Sequence, residues 1–271
     1  MKIEILLNKM ASEYAIPVRY YLISGEIKFC INDLLDKNIE IIYSGEIYCI
    51  KCGRKTSKSF SQGFCYPCFM TAPETEECVL RPELCQAHLG IARDMDYARE
   101  HCLHDHIIYL AASSEIKVGI TRIAQVPYRW IDQGASSAMK IALVPNRYTA
   151  GLIEVAIKKY MPDKTNWRLM LTNKINNNPD YEATKVLVNS ILPEEFKKYL
   201  LINEPIKYID YPVISYPQKV VSIDLEKEQH FSGILKGIKG QYLIFDSGKV
   251  INIRKYGGYK VTIQTMPETF L

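Results

Sequence analysis

The chain has 271 residues, with 34 lysines and arginines against 30 aspartates and glutamates, a net charge of +4. That length suggests about two domains, and an apolar fraction of 48% is enough for real cores, which excludes a disordered chain. No apolar run approaches the ~18 residues of a spanning helix, and Met1-Lys-Ile-Glu-Ile-Leu-Leu-Asn-Lys is too short and too charged for a secretory leader, so a soluble cytoplasmic protein is expected.

Residues 1–48 read as a β-rich segment. Val18-Arg-Tyr-Tyr-Leu-Ile and Ile39-Glu-Ile-Ile-Tyr-Ser carry the β-branched and aromatic residues of strands, and Gly25 and Gly45 mark turns. Cys30 sits alone in this pattern and reads as core.

Residues 49–106 read as a zinc-binding segment. Cys49-x-x-Cys52 and Cys65-x-x-Cys68 are separated by twelve residues, a spacing that lets four thiolates meet one tetrahedral zinc ion. Gly53 and Gly63 suit the tight turns beside each pair. A redox dithiol uses one pair, so two pairs argue against it. Four thiolates leave no open position for water, which makes this zinc structural. Cys78, Cys85, His88 and Cys102 have the right ligand types for a second site, although the seven-residue step from Cys78 to Cys85 is no tight knuckle and inert thiols are the alternative. A short helix is expected after Asp94, its cap.

Residues 107–172 read as a compact α/β unit. Ile107-Ile-Tyr-Leu-Ala and Glu115-Ile-Lys-Val-Gly-Ile-Thr form a hairpin across Ser113-Ser-Glu. A helix over 125–134 has Pro127 near its first turn and Gly134 just past its end. Asp132 and Gln133 either face the same cleft as Arg129 or cap the helix end, and capping is the favoured reading. A third strand at 139–145 and a helix over 148–160 follow, and 173–180 is a polar linker. Residues 181–271 then hold two helices, near 181–191 and 194–201, and a β-rich tail with a hairpin over 241–254. Whether the two β-rich ends pack together is left open.

Charge is unevenly spread. Lys51, Arg54, Lys55 and Lys58 stand without an acid between Cys49 and Pro73, and residues 231–260 hold six basic residues against Asp246 alone. In the tail, Lys236, Lys239, Lys249, Arg254 and Lys255 interleave with Phe231, Tyr242, Phe245, Tyr256 and Tyr259. Basic groups follow a phosphate backbone while aromatic faces stack on unpaired bases, so DNA or RNA is the expected partner. Strand aromatics filling a core are the alternative reading.

The segment Ile108-Tyr-Leu, Lys117-Val-Gly-Ile-Thr, Arg129, Glu154 and Thr165-Asn-Trp resembles the GIY-YIG nuclease superfamily. The resemblance implies that Tyr109 positions or deprotonates the attacking water, that Arg129 neutralises phosphate, that Glu154 holds a divalent ion such as Mg²⁺, and that Asn166 lies nearby. Val118 stands where the second motif has tyrosine, and the first motif lacks its glycine. Over about residues 40–265 the chain resembles the uncharacterised DUF2797 family. That likeness is carried by Lys58-Ser-Phe-Ser-Gln-Gly-Phe-Cys-Tyr-Pro-Cys-Phe, Arg81-Pro-Glu-Leu-Cys, Arg129-Trp-Ile-Asp-Gln-Gly-Ala and Gly237-Ile-Lys-Gly-Gln-Tyr-Leu-Ile-Phe. The fold expected is α+β, with a zinc knuckle in a β-rich N-terminal part, a GIY-YIG-like core and a β-rich C-terminal part. The function expected is nucleic-acid binding with metal-dependent phosphodiester cleavage. An inactive nucleic-acid adaptor and a zinc-knuckle protein-interaction module are the alternatives.

Overall fold

The computed structural model describes residues 1–176 and 178–266; Asn177, in the expected linker, lies outside them. In chain order the strands are β1 (Lys2–Leu6), β2 (Ala11–Glu13), β3 (Arg19–Ser24), β4 (Ile27–Cys30), β5 (Asn38–Tyr48), β6 (Lys55–Thr56), β7 (His106–Ala112), β8 (Ile116–Arg122), β9 (Ser137–Val144), β10 (Lys207–Tyr208), β11 (Val221–Ser222), β12 (His230–Lys239), β13 (Tyr242–Phe245), β14 (Lys249–Asn252) and β15 (Tyr259–Thr265). The α-helices are α1 (Tyr66–Thr71), α2 (Met95–His101), α3 (Tyr128–Asp132), α4 (Arg147–Ile157), α5 (Trp167–Leu171), α6 (Tyr181–Ile191) and α7 (Glu194–Lys197). The chain is a mixed α+β protein that divides into two compact units. Among the described residues no helix is long and apolar enough to cross a membrane.

The first unit joins residues 1–70 to 210–271, with 171–173. The two β-rich ends therefore form one body. Its main sheet runs β1-β15-β5-β12-β13-β14-β11, with β6 on the end of β5. Strict alternation builds its core: Ile39, Ile41 and Tyr43 of β5 and Tyr259, Val261 and Ile263 of β15 all point inward. The register of β5 against β15 shifts between Tyr259 and Val261, where four residues of β5 span two of its partner. Gly45, with φ 80°, lies inside that bulge. A separate three-stranded sheet holds β2, β3 and β4.

The second unit holds residues 71–170 and 174–209. Its sheet is antiparallel in the order β10-β9-β7-β8. Every residue of β7 is buried, because both faces of this central strand are covered. Ile108, Leu110 and Ala112, with Val118, pack on Ala150, Ile153 and Ile157 of α4 and on Tyr181 and Val188 of α6. The helical pair expected to accompany the tail belongs to this unit for that reason. Asn146 starts α4 by accepting the Thr149 N–H at 2.9 Å.

Close backbone contact fixes where α4 lies. Gly151 faces the 3₁₀ turn Pro82–Leu84, and a Cβ there would come within 2.2 Å of the Glu83 backbone nitrogen. Gly151→Ala is expected to destabilise the protein by roughly 3 kcal/mol, the upper range for overpacking, because a backbone cannot swing aside as a side chain can. Chemical denaturation checks this; a midpoint equal to wild type would mean the turn is not seated on α4.

Candidate functional site

The first cysteine cluster sits where β5 ends. Cys49 follows Tyr48, and its carbonyl accepts the Gly53 N–H at 2.9 Å to close the first turn, with Gly53 at φ 71°. Phe60 and Phe64 exchange N–H···O bonds at 2.8 Å and close the second loop. Cys65 precedes α1 and Cys68 lies on it. The Sγ atoms of Cys49, Cys52, Cys65 and Cys68 all lie within 4.8 Å of one another, and Cys52 and Cys65 are 3.7 Å apart. Burial raises the Cys49 thiol, but backbone N–H groups of Cys65, Cys52 and Lys51 outweigh it and bring it down to about 6. The hydrogen bond with Cys65, then burial, pushes Cys68 up to about 12. Negative charge thus already concentrates on one sulfur, and the cluster can hold a metal ion.

The second cluster, in the other unit, brings together Cys78, Cys85 and Cys102, all buried and within 4.8 Å of one another. Hydrogen bonds from Cys102 and Cys78 hold the Cys85 thiol far below its ordinary range. The Arg147 guanidinium stands beside the cluster and donates to the Cys78 and His101 carbonyls at 3.4 Å each. These three sulfurs can hold a metal ion too. His88 does not join them. The turn Ala87–Leu89 carries it to the surface, where its ring stacks on Tyr148 at 4.3 Å.

The sequence-selected constellation in the same unit gathers around Tyr109, which is 0% exposed. The Tyr109 hydroxyl donates to Gln133 Oε1 at 3.1 Å. Gln133 is the C-cap of α3, its backbone N–H donating to the Ile131 carbonyl, and its side chain also faces Tyr109. The ring of Tyr109 meets Trp130 edge-on at 5.9 Å and crosses Gly119, where a Cβ would lie 2.6 Å from its hydroxyl oxygen. Only glycine leaves room for that ring on β8. Burial, with the Glu154 carboxylate, holds the Tyr109 phenol above its usual range, while Arg129 acts in the opposite direction through both charge and a hydrogen bond.

Glu154 is half-buried. Burial, then the Asp163 and Glu83 carboxylates, pushes it up to about 7 against the pull of Lys158 and Arg129. Lys117 is 4% exposed, and burial followed by repulsion from Arg129 brings it down to about 8. Val118, which the motif comparison sets in the tyrosine position, points into the opposite core with Ile108 and Leu110. Lys117 shares the Tyr109 face instead, since it pairs with Ala111, two residues along β7 from Tyr109. Simple alternation along Lys117-Val-Gly was the available signal. Glu83 had no comparable signal, because only folding brings residue 83 to α4. Asn166 is placed otherwise: it is exposed, and its side-chain oxygen accepts the Arg168 and Leu169 N–H groups at 3.2 and 3.3 Å, capping α5.

The basic tail does not form a free stripe. Lys239 is 1% exposed, its ammonium held 5.4 and 5.2 Å from the Tyr211 and Tyr216 rings, so it cannot meet a phosphate backbone. Lys236 is paired with Asp36, and Lys249 with Glu228 at 2.6 Å. Phe231, Phe245 and Tyr259 are buried in the core, as alternation along paired strands requires, and Tyr256 is buried from the turn before β15. Arg254 is half-buried, and Lys255 is exposed on the turn before β15.

Residues 36–261 match the family described as a protein of unknown function, DUF2797, and the chain belongs to that family. No curated protein and no solved structure matches it.

Proposed function

We propose that this DUF2797 member is a zinc-stabilised nucleic-acid-binding protein whose α/β unit cleaves phosphodiesters with a divalent cation. The observation that carries the reading is the meeting of a phenol, a guanidinium, a buried ammonium and a carboxyl of raised pKa around one side of β7 and β8. Phosphodiester hydrolysis needs a group to align water, cations for the non-bridging oxygens and a carboxylate for the metal. Tyr109 is held protonated and fixed by Gln133, so it orients water and does not remove a proton. Arg129 stabilises phosphate charge, and Lys117 adds a second cation below about pH 8. A divalent ion held by Glu154 would supply Lewis-acid stabilisation when bound; a single carboxylate leaves room for water and phosphate oxygens, as Mg²⁺ prefers.

Zinc fits the first cluster. In a tetrahedron with Zn–S bonds of ~2.3 Å the sulfurs stand roughly 3.8 Å apart, and Cys52 and Cys65 are separated by 3.7 Å. Its role is structural, since four thiolates fill the coordination sphere.

A second reading, an adaptor that binds without cutting, draws on the complete burial of Tyr109. An electrophoretic assay in Mg²⁺ or Mn²⁺ with single- and double-stranded DNA and RNA separates them. Cleavage by wild type that is lost in Tyr109→Phe or Glu154→Gln supports the enzyme. Binding without cleavage in all three supports the adaptor. No affinity for any oligonucleotide at low salt, where phosphate contacts are strongest, would overturn both and favour a protein-interaction module.

A further inference from the structure

A cavity of about 720 Å³ opens beside the knuckle in the first unit. Its walls come from two places: the loop between the cysteine pairs, with Ser57, Lys58 and Gln62, and the main sheet with its flanking turns, with Tyr43, Tyr259, Gln229 and Lys255. The loop is held in an unusual shape. Ser61, Gln62 and Gly63 have φ 43°, 66° and 140°, three successive left-handed residues of which only one is glycine. The sheet leaves no slack beneath it: a Cβ on Gly257 would lie 2.2 Å from the Gln62 carbonyl oxygen. The Gly63 carbonyl accepts the Ile50 N–H at 2.9 Å, which ties the loop to the first cysteine turn.

This architecture presents donors to an empty space. The Ser59 hydroxyl lies sealed beneath this surface without a hydrogen-bond partner among the described residues, so the donors that reach the space are those of the exposed side chains. Lys58 and Lys255 are exposed; the Lys255 ammonium donates to the Tyr256 hydroxyl at 3.2 Å, and that of Lys58 lies 5.3 Å from the Phe60 ring centroid. Glu226 is the acid on the wall, and its carboxylate already accepts the Tyr259 hydroxyl at 2.5 Å. The remaining polar groups are hydroxyls, amides and ammonium groups, so the matching ligand is rich in acceptors and negatively charged. The volume is far larger than a lone phosphate needs and suits a small organic ligand. The Tyr43 and Tyr259 rings, 5.1 Å apart and almost wholly buried, underlie one wall and show only their edges, and the Gln62 and Gln229 amides offer paired donors and acceptors.

We propose that this cavity binds one phosphorylated nucleotide unit, its phosphate between Lys58 and Lys255 and its base toward the Gln62 and Gln229 amides. The unit can come from a free mononucleotide or from the phosphorylated end of a nucleic acid. The inference concerns a different unit from the cleavage site and does not rest on that reading; cleavage at the Glu154 site can fail while this pocket still binds, and the reverse.

The test is calorimetric titration of the metal-loaded full chain with AMP, CMP, GMP, UMP and inorganic phosphate. A parallel series uses a short single strand with a 5′-phosphate or a 5′-hydroxyl. At least one mononucleotide is expected to bind tenfold or more tightly than inorganic phosphate. Lys58→Glu and Lys255→Glu should each weaken it at least tenfold, and Lys58→Glu should do so without shifting the melting temperature, since Lys58 is exposed and its ammonium has no hydrogen bond to lose among the described residues. Preference for the 5′-phosphorylated strand over its hydroxyl form assigns the site to chain ends; binding of mononucleotides alone assigns it to free nucleotides. Absence of mononucleotide binding, equal affinity for inorganic phosphate, or wild-type affinity in both lysine variants would overturn the proposal.

Discussion

Cys65→Ser is expected to remove one bound metal ion per chain and to lower stability by at least ~3 kcal/mol. Structural zinc contributes an apparent ~10–16 kcal/mol in small knuckles at neutral pH, and one missing thiolate leaves a weak three-sulfur site. The damage should spread along the chain. The knuckle is continuous with the end of β5, whose Tyr48 N–H donates to the Gly258 carbonyl at 2.8 Å, and Gly258 is close enough to Tyr48 that a Cβ would lie 2.0 Å from its carbonyl oxygen. Loss of the metal should therefore loosen the β5–β15 edge before it touches the α/β unit. Elemental analysis with hydrogen exchange reads both effects. Cys30→Ser is the control, since Cys30 lies on β4 outside both clusters and should leave metal content unchanged. Wild-type zinc content in Cys65→Ser would refute the knuckle.

Glu154→Gln should abolish metal-dependent cleavage, by on the order of 10²–10³-fold, the range for removing one preorganised electrostatic group at a reacting centre. The same variant should change the dependence of stability on pH. Glu154 is raised from 4.5 to about 7 in the folded chain. Below about pH 4.5 the carboxyl is protonated whether folded or unfolded, and it imposes no penalty. As pH rises toward 7 the unfolded carboxyl ionises first, so the folded state loses stability, and above about 7 the loss is complete. A shift of that size corresponds to at most on the order of 3 kcal/mol. Without divalent ions, wild type should weaken over this window while Glu154→Gln should not. Mg²⁺ at pH 8 should restore part of the loss in wild type alone. Parallel pH profiles for the two proteins, with and without Mg²⁺, would count against a buried metal-binding carboxyl.

Local chemistry was readable where it depended on near neighbours. The four-cysteine spacing announced the first cluster, because a Cys-x-x-Cys turn directs two sulfurs together whatever surrounds it. Asp94 announced α2, and its side chain accepts the Tyr97 N–H at 3.0 Å. Strands β7, β8 and β9 were legible from β-branched runs. The errors arose where the outcome depended on which face an element presents. Val118 was compared with a motif by position, whereas alternation puts Lys117 on the face of Tyr109. Gln133 was read as a cap, which its backbone is; that its side chain also accepts the Tyr109 hydroxyl needed the fold. The basic tail was read as a surface, yet its strands pair on both sides, which drives Lys239 and most of the aromatics inward and sets carboxylates from distant segments against Lys236 and Lys249.

By itself the sequence determined the thiolate knuckle, the α+β character and the family, since each rests on residue types at short spacing. Tertiary structure alone decided that the two ends share one sheet and that His88 stands apart from its three cysteines. It also brought Glu83 beside Glu154 and built a donor-lined cavity from residues about 170 to 200 positions apart. Burial and long-range pairing set those outcomes. Both depend on the whole chain's effort to cover its apolar faces, which no local window of residues can encode.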